Sequence, residues 1–275
     1  SGQAGEGPGC FLVPPGGGVT LRPDGGFLVV NGQKKWALLN ETGTWCSEGR
    51  KGTWSWKVPR EGGWLVQGIA VRERVNTWIA LLLDEQGRSL GELWSWKHAI
   101  QDAEQRIDLA PTYQEVVVVG ERLVLAPDEQ MRIRVYSAGG RLERVLEQPY
   151  ERLPMTDGYR QRVLGYFRSG ARYREALPVI EKMFFFPSFF PAVRHLYADE
   201  KGVYAQTYGG GTGEAEFYRF RWDGTFAGVS RVPWQDPSGI NWECRSCVSD
   251  GFFYDLVEGE QEQEPWYLIS APLLP

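Results

Sequence analysis

Cys244-Arg-Ser-Cys247 is the sharpest local motif in the chain. Two thiols at this spacing can run thiol–disulfide exchange, or supply half of a tetrahedral zinc site. Redox work needs the first thiol activated, commonly at a helix N-terminus, and this pair lies in a stretch that reads as strand. A zinc site needs two more ligands. The remaining cysteines are Cys10 and Cys46, the two histidines are His98 and His195, and no second pair has this spacing. The expectation is therefore a structural disulfide or a packed thiol pair at Cys244 and Cys247, with no metal and no cofactor assigned.

Hydrolytic and phosphate-binding chemistry find little support. A Ser-His-Asp triad can assemble from distant positions, but the chain has no Gly-x-Ser-x-Gly elbow, no His-Glu-x-x-His and no Gly-x-x-x-x-Gly-Lys-Ser loop. Tyr208-Gly-Gly-Gly-Thr-Gly213 is rich enough in glycine to cradle an anion, but a phosphate loop must lead into a helix. Here Glu214-Ala-Glu-Phe-Tyr-Arg-Phe220 follows, which alternates like a strand and makes the glycine run a hairpin turn.

Aromatic residues are the stronger candidates. Phe184-Phe-Phe-Pro-Ser-Phe-Phe-Pro191 packs five phenylalanines (Phe184, Phe185, Phe186, Phe189 and Phe190) into seven residues. A loop interrupted by proline cannot turn all of them inward, so any exposed rings would form a partner-binding patch. The bland alternative is a satellite core under a neighbouring helix. Trp54 and Trp56, and likewise Trp94 and Trp96, are spaced to share one face of a strand. Packing between sheets is the main expectation for them; an exposed aromatic rim that stacks on glycans is the sharper one.

These residues need elements to position them, and the chain repeats itself. Lys51-Gly-Thr-Trp-Ser-Trp-Lys57 is echoed by Gly91-Glu-Leu-Trp-Ser-Trp-Lys97, and Leu38-Leu-Asn-Glu-Thr-Gly43 by Leu82-Leu-Asp-Glu-Gln-Gly87. Val135-Tyr-Ser-Ala-Gly-Gly140 and Phe220-Arg-Trp-Asp-Gly224 have the same shape. In each, an apolar strand runs into a polar turn closed by glycine. A further strand lies upstream, often led by a turn: Asp24-Gly-Gly26, Gly62-Gly63, Glu200-Lys-Gly202 and Asp250-Gly251. Each unit reads as four short antiparallel strands; for the second they fall near 53–58, 64–71, 76–83 and 88–95. Four strands per repeat of this length make the blade of a β-propeller. Five blades can be counted. The last supplies only three strands, near 242–249, 251–257 and 265–270, so the segment 10–13 is expected to complete it and latch a single domain over 1–275.

One stretch departs from the repeat. Thr156-Asp157 can cap a helix, and Val163, Leu164 and Phe167 fall at helical spacing. Residues 156–183 are expected to form a helical excursion on one blade, in preference to a degenerate sixth blade.

The run from Val145 to Met155, the helical stretch after it, and Phe186-Pro-Ser-Phe-Phe-Pro-Ala-Val-Arg-His-Leu-Tyr-Ala-Asp199 with Glu-Lys-Gly-Val-Tyr204 resemble the C-terminal half of bacterial six-bladed β-propeller proteins of NHL-like type. Gly5-Glu-Gly-Pro-Gly9 is similar to a turn those proteins carry between blades. The resemblance covers 140–275 well and the first half loosely. It implies six blades and an exported, often lipid-anchored protein. Propellers with lactonase-like activity hold a divalent cation in the central channel; here Glu115, Asp199, Glu243 and Asp250 lie near strand ends and read as turn residues.

Bulk properties agree with this class. Glycine makes up 34 of 275 residues, about 12% against a typical ~7%, and 12 Trp, 12 Tyr and 13 Phe accompany it. Short strands joined by tight turns require that mixture. The net charge of −5, with no basic cluster, argues against nucleic acid. No apolar run approaches the ~20 residues that span a bilayer, so membrane association would run through a complex or a lost lipid anchor. The start at Ser1 and the four cysteines suit a processed, periplasmic or extracellular protein. The reading is a non-enzymatic scaffold that presents its loops to a protein partner in an envelope complex. The alternatives are a cation-dependent hydrolase using the channel and a glycan-binding module.

Overall fold

The computed structural model describes residues 18–21, 27–31, 35–39, 45–50, 54–60, 63–72, 75–84, 88–99, 107–108, 116–127, 129–169, 177–211, 213–234, 246–257 and 267–273. The chain divides into two compact units, one of 1–100 with 138–141 and the other of 101–137 with 142–275.

The first unit holds two antiparallel sheets, each a four-stranded meander. One is β1 (Gly18–Leu21), β2 (Phe27–Asn31), β3 (Lys35–Leu39) and β4 (Trp45–Arg50). The other is β5 (Trp54–Arg60), β6 (Gly63–Arg72), β7 (Val75–Leu83) and β8 (Ser89–Ala99). Trp64, Leu65, Val66, Ile79, Ala80, Leu82 and Leu83 are buried in the second sheet, all from its two central strands, together with Trp94 from β8. Central strands are flanked on both sides, so their side chains lose water first.

The second unit repeats the pattern. Its sheets are β10 (Val116–Val119), β11 (Arg122–Leu125), β12 (Arg132–Ser137) and β13 (Leu142–Glu147), then β15 (His195–Asp199), β16 (Gly202–Gln206), β17 (Glu214–Phe220) and β18 (Phe226–Pro233). A three-stranded sheet follows, of β19 (Ser246–Ser249), β20 (Phe252–Val257) and β21 (Tyr267–Pro272). A short parallel pair joins β9 (Ile107–Asp108) to β14 (Phe184–Phe185). First strands lie side by side, β10 next to β15 and β15 next to β19. The fold class is an all-β propeller of four-stranded antiparallel blades, with four such sheets and one of three strands among the described residues, and one helical excursion.

Two local rules recur. Every four-stranded sheet carries a register shift where its third strand pairs with its fourth, at Leu38/Leu39, Ala80/Leu81, Val135/Tyr136 and Arg219/Phe220. Such bulges add twist, and the turns that follow the last two close on the expected glycines, Gly140 and Gly224, at positive φ. The second rule concerns the residue that opens the second strand. At Gly63 and Gly202 a Cβ would collide with the carbonyl oxygen that ends the third strand, Leu83 and Phe220 respectively. The Gly-apolar step in the sequence is therefore required by backbone approach.

The excursion leaves the β13 end. Helix α1 (Asp157–Ser169) is capped by Thr156, whose Oγ1 accepts a bond from the Tyr159 amide at 3.2 Å. Asp157 in its first turn and Arg168 in its last suit the helix dipole. Tyr159, Val163 and Phe167, four residues apart, form its buried stripe. A short helix α2 (Leu177–Ile180) and a 3-10 turn (Glu181–Met183) return the chain to β14. The segment expected to latch the last sheet, 10–13, lies outside the described residues.

Candidate functional site

The excursion carries a small core of its own. Met155, Tyr159, Val163, Phe167 and Phe190 are buried together, and Leu177, Phe184, Phe186 and Tyr208 pack against them. The rings meet in favourable geometries. Tyr159 stands edge-on to Phe190 at 4.8 Å, Phe190 stacks on Tyr208 at 4.3 Å, and Phe167 lies 4.8 Å from Phe184. Each such pair contributes about 0.5–1.5 kcal/mol beyond its area burial. Three of the five phenylalanines, Phe184, Phe186 and Phe190, are thus tied into this core.

Phe185 and Phe189 are not. They are 37% and 46% exposed, and Leu153 and Tyr166 on the same excursion are 37% and 36% exposed. The backbone beneath Phe189 is held in place. Phe190 N donates to the Leu153 carbonyl and Met155 N to the Ser188 carbonyl, both at 2.9 Å, around a bridge between Pro154 and Phe189. Arg152 grips the carbonyls of Phe190 (2.9 Å) and Phe189 (3.2 Å), pairs with Glu129 at 2.6 Å, and lies 5.6 Å from the Phe189 ring. Arg168 pairs with Glu181 across the excursion. The result is two apolar rings displayed from a braced surface element, with arginines beside them, and this arrangement suits contact with another macromolecule.

The other residues singled out in the sequence do not join this surface. Cys247 lies exposed on β19, whereas Cys244 is outside the described residues. Trp94 is buried at 8% exposure, which places it in the core instead of on an aromatic rim. The side chains of Trp54, Trp56 and Trp96 lie outside the described residues. A register shift between Trp54 and Trp56 interrupts the strict alternation that would put them on one face. Tyr208–Gly213 is indeed a hairpin between two strands, with Gly210, Gly211 and Gly213 at positive φ. No group of three or more His, Cys, Asp or Glu is placed to hold a metal ion among the described residues.

Asp199 does work that its reading as an ordinary turn residue understates. Its Oδ1 accepts from the amides of Lys201 (2.8 Å) and Gly202 (3.1 Å) and from the Tyr204 hydroxyl (3.0 Å). Its Oδ2 reaches the next sheet and accepts from Gly251 N at 2.7 Å. Lys201 reinforces the same junction through the Asp250 carbonyl and carboxylate, both at 2.7 Å. Burial, and then the Asp199 charge, push the Tyr204 hydroxyl well above the usual phenol range. Sequence reasoning missed Arg219 altogether. It is buried at 7% exposure on the face of β17 that also carries Phe217. The available signal was an arginine two residues from a core phenylalanine in an alternating strand.

No protein-family model matches this sequence, and no curated protein matches it either. Among solved structures, a Bacteroides fragilis protein assigned as exported aligns with a TM-score of 0.51 at 10% identity, over 93% of this chain and 69% of that one. That likeness shows the fold. The β-propeller domain of the Trilobed protease from Pyrococcus furiosus aligns with a TM-score of 0.41 at 10% identity, over 94% and 67%. BamB from Moraxella catarrhalis aligns with a TM-score of 0.36 at 13% identity, over 78% and 53%.

Proposed function

We propose that this chain is a non-enzymatic binding or scaffold protein that acts outside the cytoplasm, as a single propeller domain of NHL-like kind. Its excursion would be the contact surface for a protein partner in an envelope assembly. One observation carries the reading. The five-phenylalanine run is divided, with three rings anchored under α1 while Phe185 and Phe189 face outward. Exposed rings on a pre-ordered element lose little entropy on binding, and that is where binding energy concentrates. An extracytoplasmic site is supported by the sequence resemblance and by the export assigned to the Bacteroides fragilis structural relative.

The test compares the intact chain with a Phe185→Ser, Phe189→Ser double variant in affinity purification from membrane and envelope fractions. Unchanged thermal stability would verify that the variant is folded. A stoichiometric partner held by the first and lost by the second is the expected result. Equal recovery with both would remove the excursion from the contact.

A further inference from the structure

A cavity of about 580 Å³ opens at the β15–β18 sheet, beside β16, β17 and the turn into β18, away from the excursion's core. It is lined by Lys201, Tyr204, Arg219, Phe220, Arg221, Trp222, Asp223 and Ala227, so three cations stand against one carboxylate. Lys201 is already engaged with Asp250, and Asp199 nearby is saturated by its amide and hydroxyl donors. Asp223 is exposed and accepts from Thr225 N at 2.8 Å.

The two arginines are different. Among the described residues neither Arg219 nor Arg221 has an ion-pair partner. Arg219 is more than nine-tenths buried, yet among the described residues it makes a single hydrogen bond, from Nη2 to the Ala227 carbonyl at 3.0 Å, and its buried Nε makes none. Burying a guanidinium without an anion is costly, and burial here works against its charge. A sheet seeking stability alone would place an aliphatic side chain beside Phe217. Instead an arginine lines the cavity. The walls are apolar and aromatic: Phe220, the Tyr204 ring, and Trp222, which is held by the Arg122 guanidinium at 4.7 Å and by a bond from its Nε1 to the Asp199 carbonyl at 3.0 Å.

We infer that this cavity binds a small organic carboxylate, its anionic group on Arg219 and Arg221 and its apolar body against the half-buried Trp222 ring. Guanidinium and carboxylate match in a two-bond fork. The size falls within the ~300–1,000 Å³ of small-molecule sites that bury an apolar ligand around a few polar anchors. Apolar walls and the Asp223 carboxylate disfavour a fully hydrated dianion such as phosphate.

Calorimetric titration of the 275-residue chain tests this with indole-3-acetate, its neutral isostere indole-3-acetamide, and inorganic phosphate. The acid is expected to bind at least tenfold more tightly than the amide and than phosphate. Arg219→Gln should weaken the acid at least tenfold and leave the amide unchanged. Should that buried substitution prevent folding, Arg221→Gln at the exposed position decides instead, with an expected loss of threefold or more. Equal affinity for acid and amide, phosphate bound as tightly as the acid, no binding of the acid, or an Arg221→Gln variant that binds like the parent would each overturn the assignment.

Discussion

The two faces of the β15–β18 sheet solve the same packing problem differently. One face puts Leu196, Val203, Ala205 and Phe220 against Val124, Ile133, Val135 and Leu146 of the β10–β13 sheet, a seam whose fully buried side chains are mostly aliphatic, with Tyr150, Tyr218, Trp222 and Phe226 packed against it. The other puts Tyr197, Tyr204, Ala215, Phe217 and Val232 against Phe253, Ala271 and Leu273 around the β19–β21 sheet. That second seam is aromatic and threaded with polar bonds. The Tyr197 hydroxyl meets Ser246 Oγ at 2.9 Å, Asp199 caps Gly251, and Ser230 donates to the Leu273 carbonyl. An aliphatic seam fixes distance but tolerates sliding. Directional bonds between hydroxyls, a carboxylate and turn amides fix register as well. The sheet with three described strands borders the directional seam.

Five variants separate these roles. The largest loss is expected from cutting either seam's packing: Phe217→Ala by about 3–5 kcal/mol and Ile133→Ala by about 2–5 kcal/mol. Denaturant titration of both checks this, and near-equal losses would mean that both seams rest first on buried area. Asp199→Ala should follow at about 1–3 kcal/mol, because it leaves the Gly202 and Gly251 amides and the Tyr204 hydroxyl without their acceptor. A loss under half a kcal/mol in the same titration would reduce the Asp199 junction to decoration.

Tyr204→Phe is expected to cost about 1 kcal/mol at neutral pH, the worth of its bond to Asp199. Its pH signature is more telling. The folded phenol titrates above its unfolded value, so the folded state holds a proton that the unfolded chain gives up near pH ~10. That stabilisation is complete below the unfolded value and is lost as pH rises beyond it. The variant should therefore lose stability less steeply between neutral and strongly alkaline pH. It should not lose all the slope, since burial raises Tyr150 and Tyr218 as well. An unchanged slope in thermal melts across that range would contradict the proposed linkage. Smallest of all is the effect of the Phe185→Ser, Phe189→Ser pair, expected at about 0.5 kcal/mol per site because both rings are already partly exposed. A larger loss in the same melts would mean that the excursion's outer rings support the fold.

Much of the architecture was legible from residue order. The second sheet's strands, expected near 53–58, 64–71, 76–83 and 88–95, lie at Trp54–Arg60, Gly63–Arg72, Val75–Leu83 and Ser89–Ala99. The helix began where Thr156 said it should, and residues 157–169 form it in place of a degenerate blade. These features are local. A glycine that must take positive φ, a hydroxyl that must reach an amide three residues on, and an apolar period of two or four residues are all written within a short window of chain. Less was legible at the sites. Nothing in Phe184-Phe-Phe-Pro-Ser-Phe-Phe tells which rings meet Tyr159, Phe167 and Tyr208 and which face water, because those partners come from a helix and from a loop beyond β16. Trp94, expected mainly to pack between sheets, is buried in the sheet it belongs to, and the sequence alone left an exposed rim open as the alternative.

The sequence by itself therefore determined the repeat, the meander within each sheet, the glycine positions and the helix cap, all set by backbone geometry over a few residues. Only the tertiary structure decided which phenylalanines are displayed, that Asp199 joins two sheets, and that a buried Arg219 lines a cavity. Burial and electrostatic pairing depend on what arrives from distant parts of the chain, and a strand's alternation says only that a residue faces one side, never what it will find there.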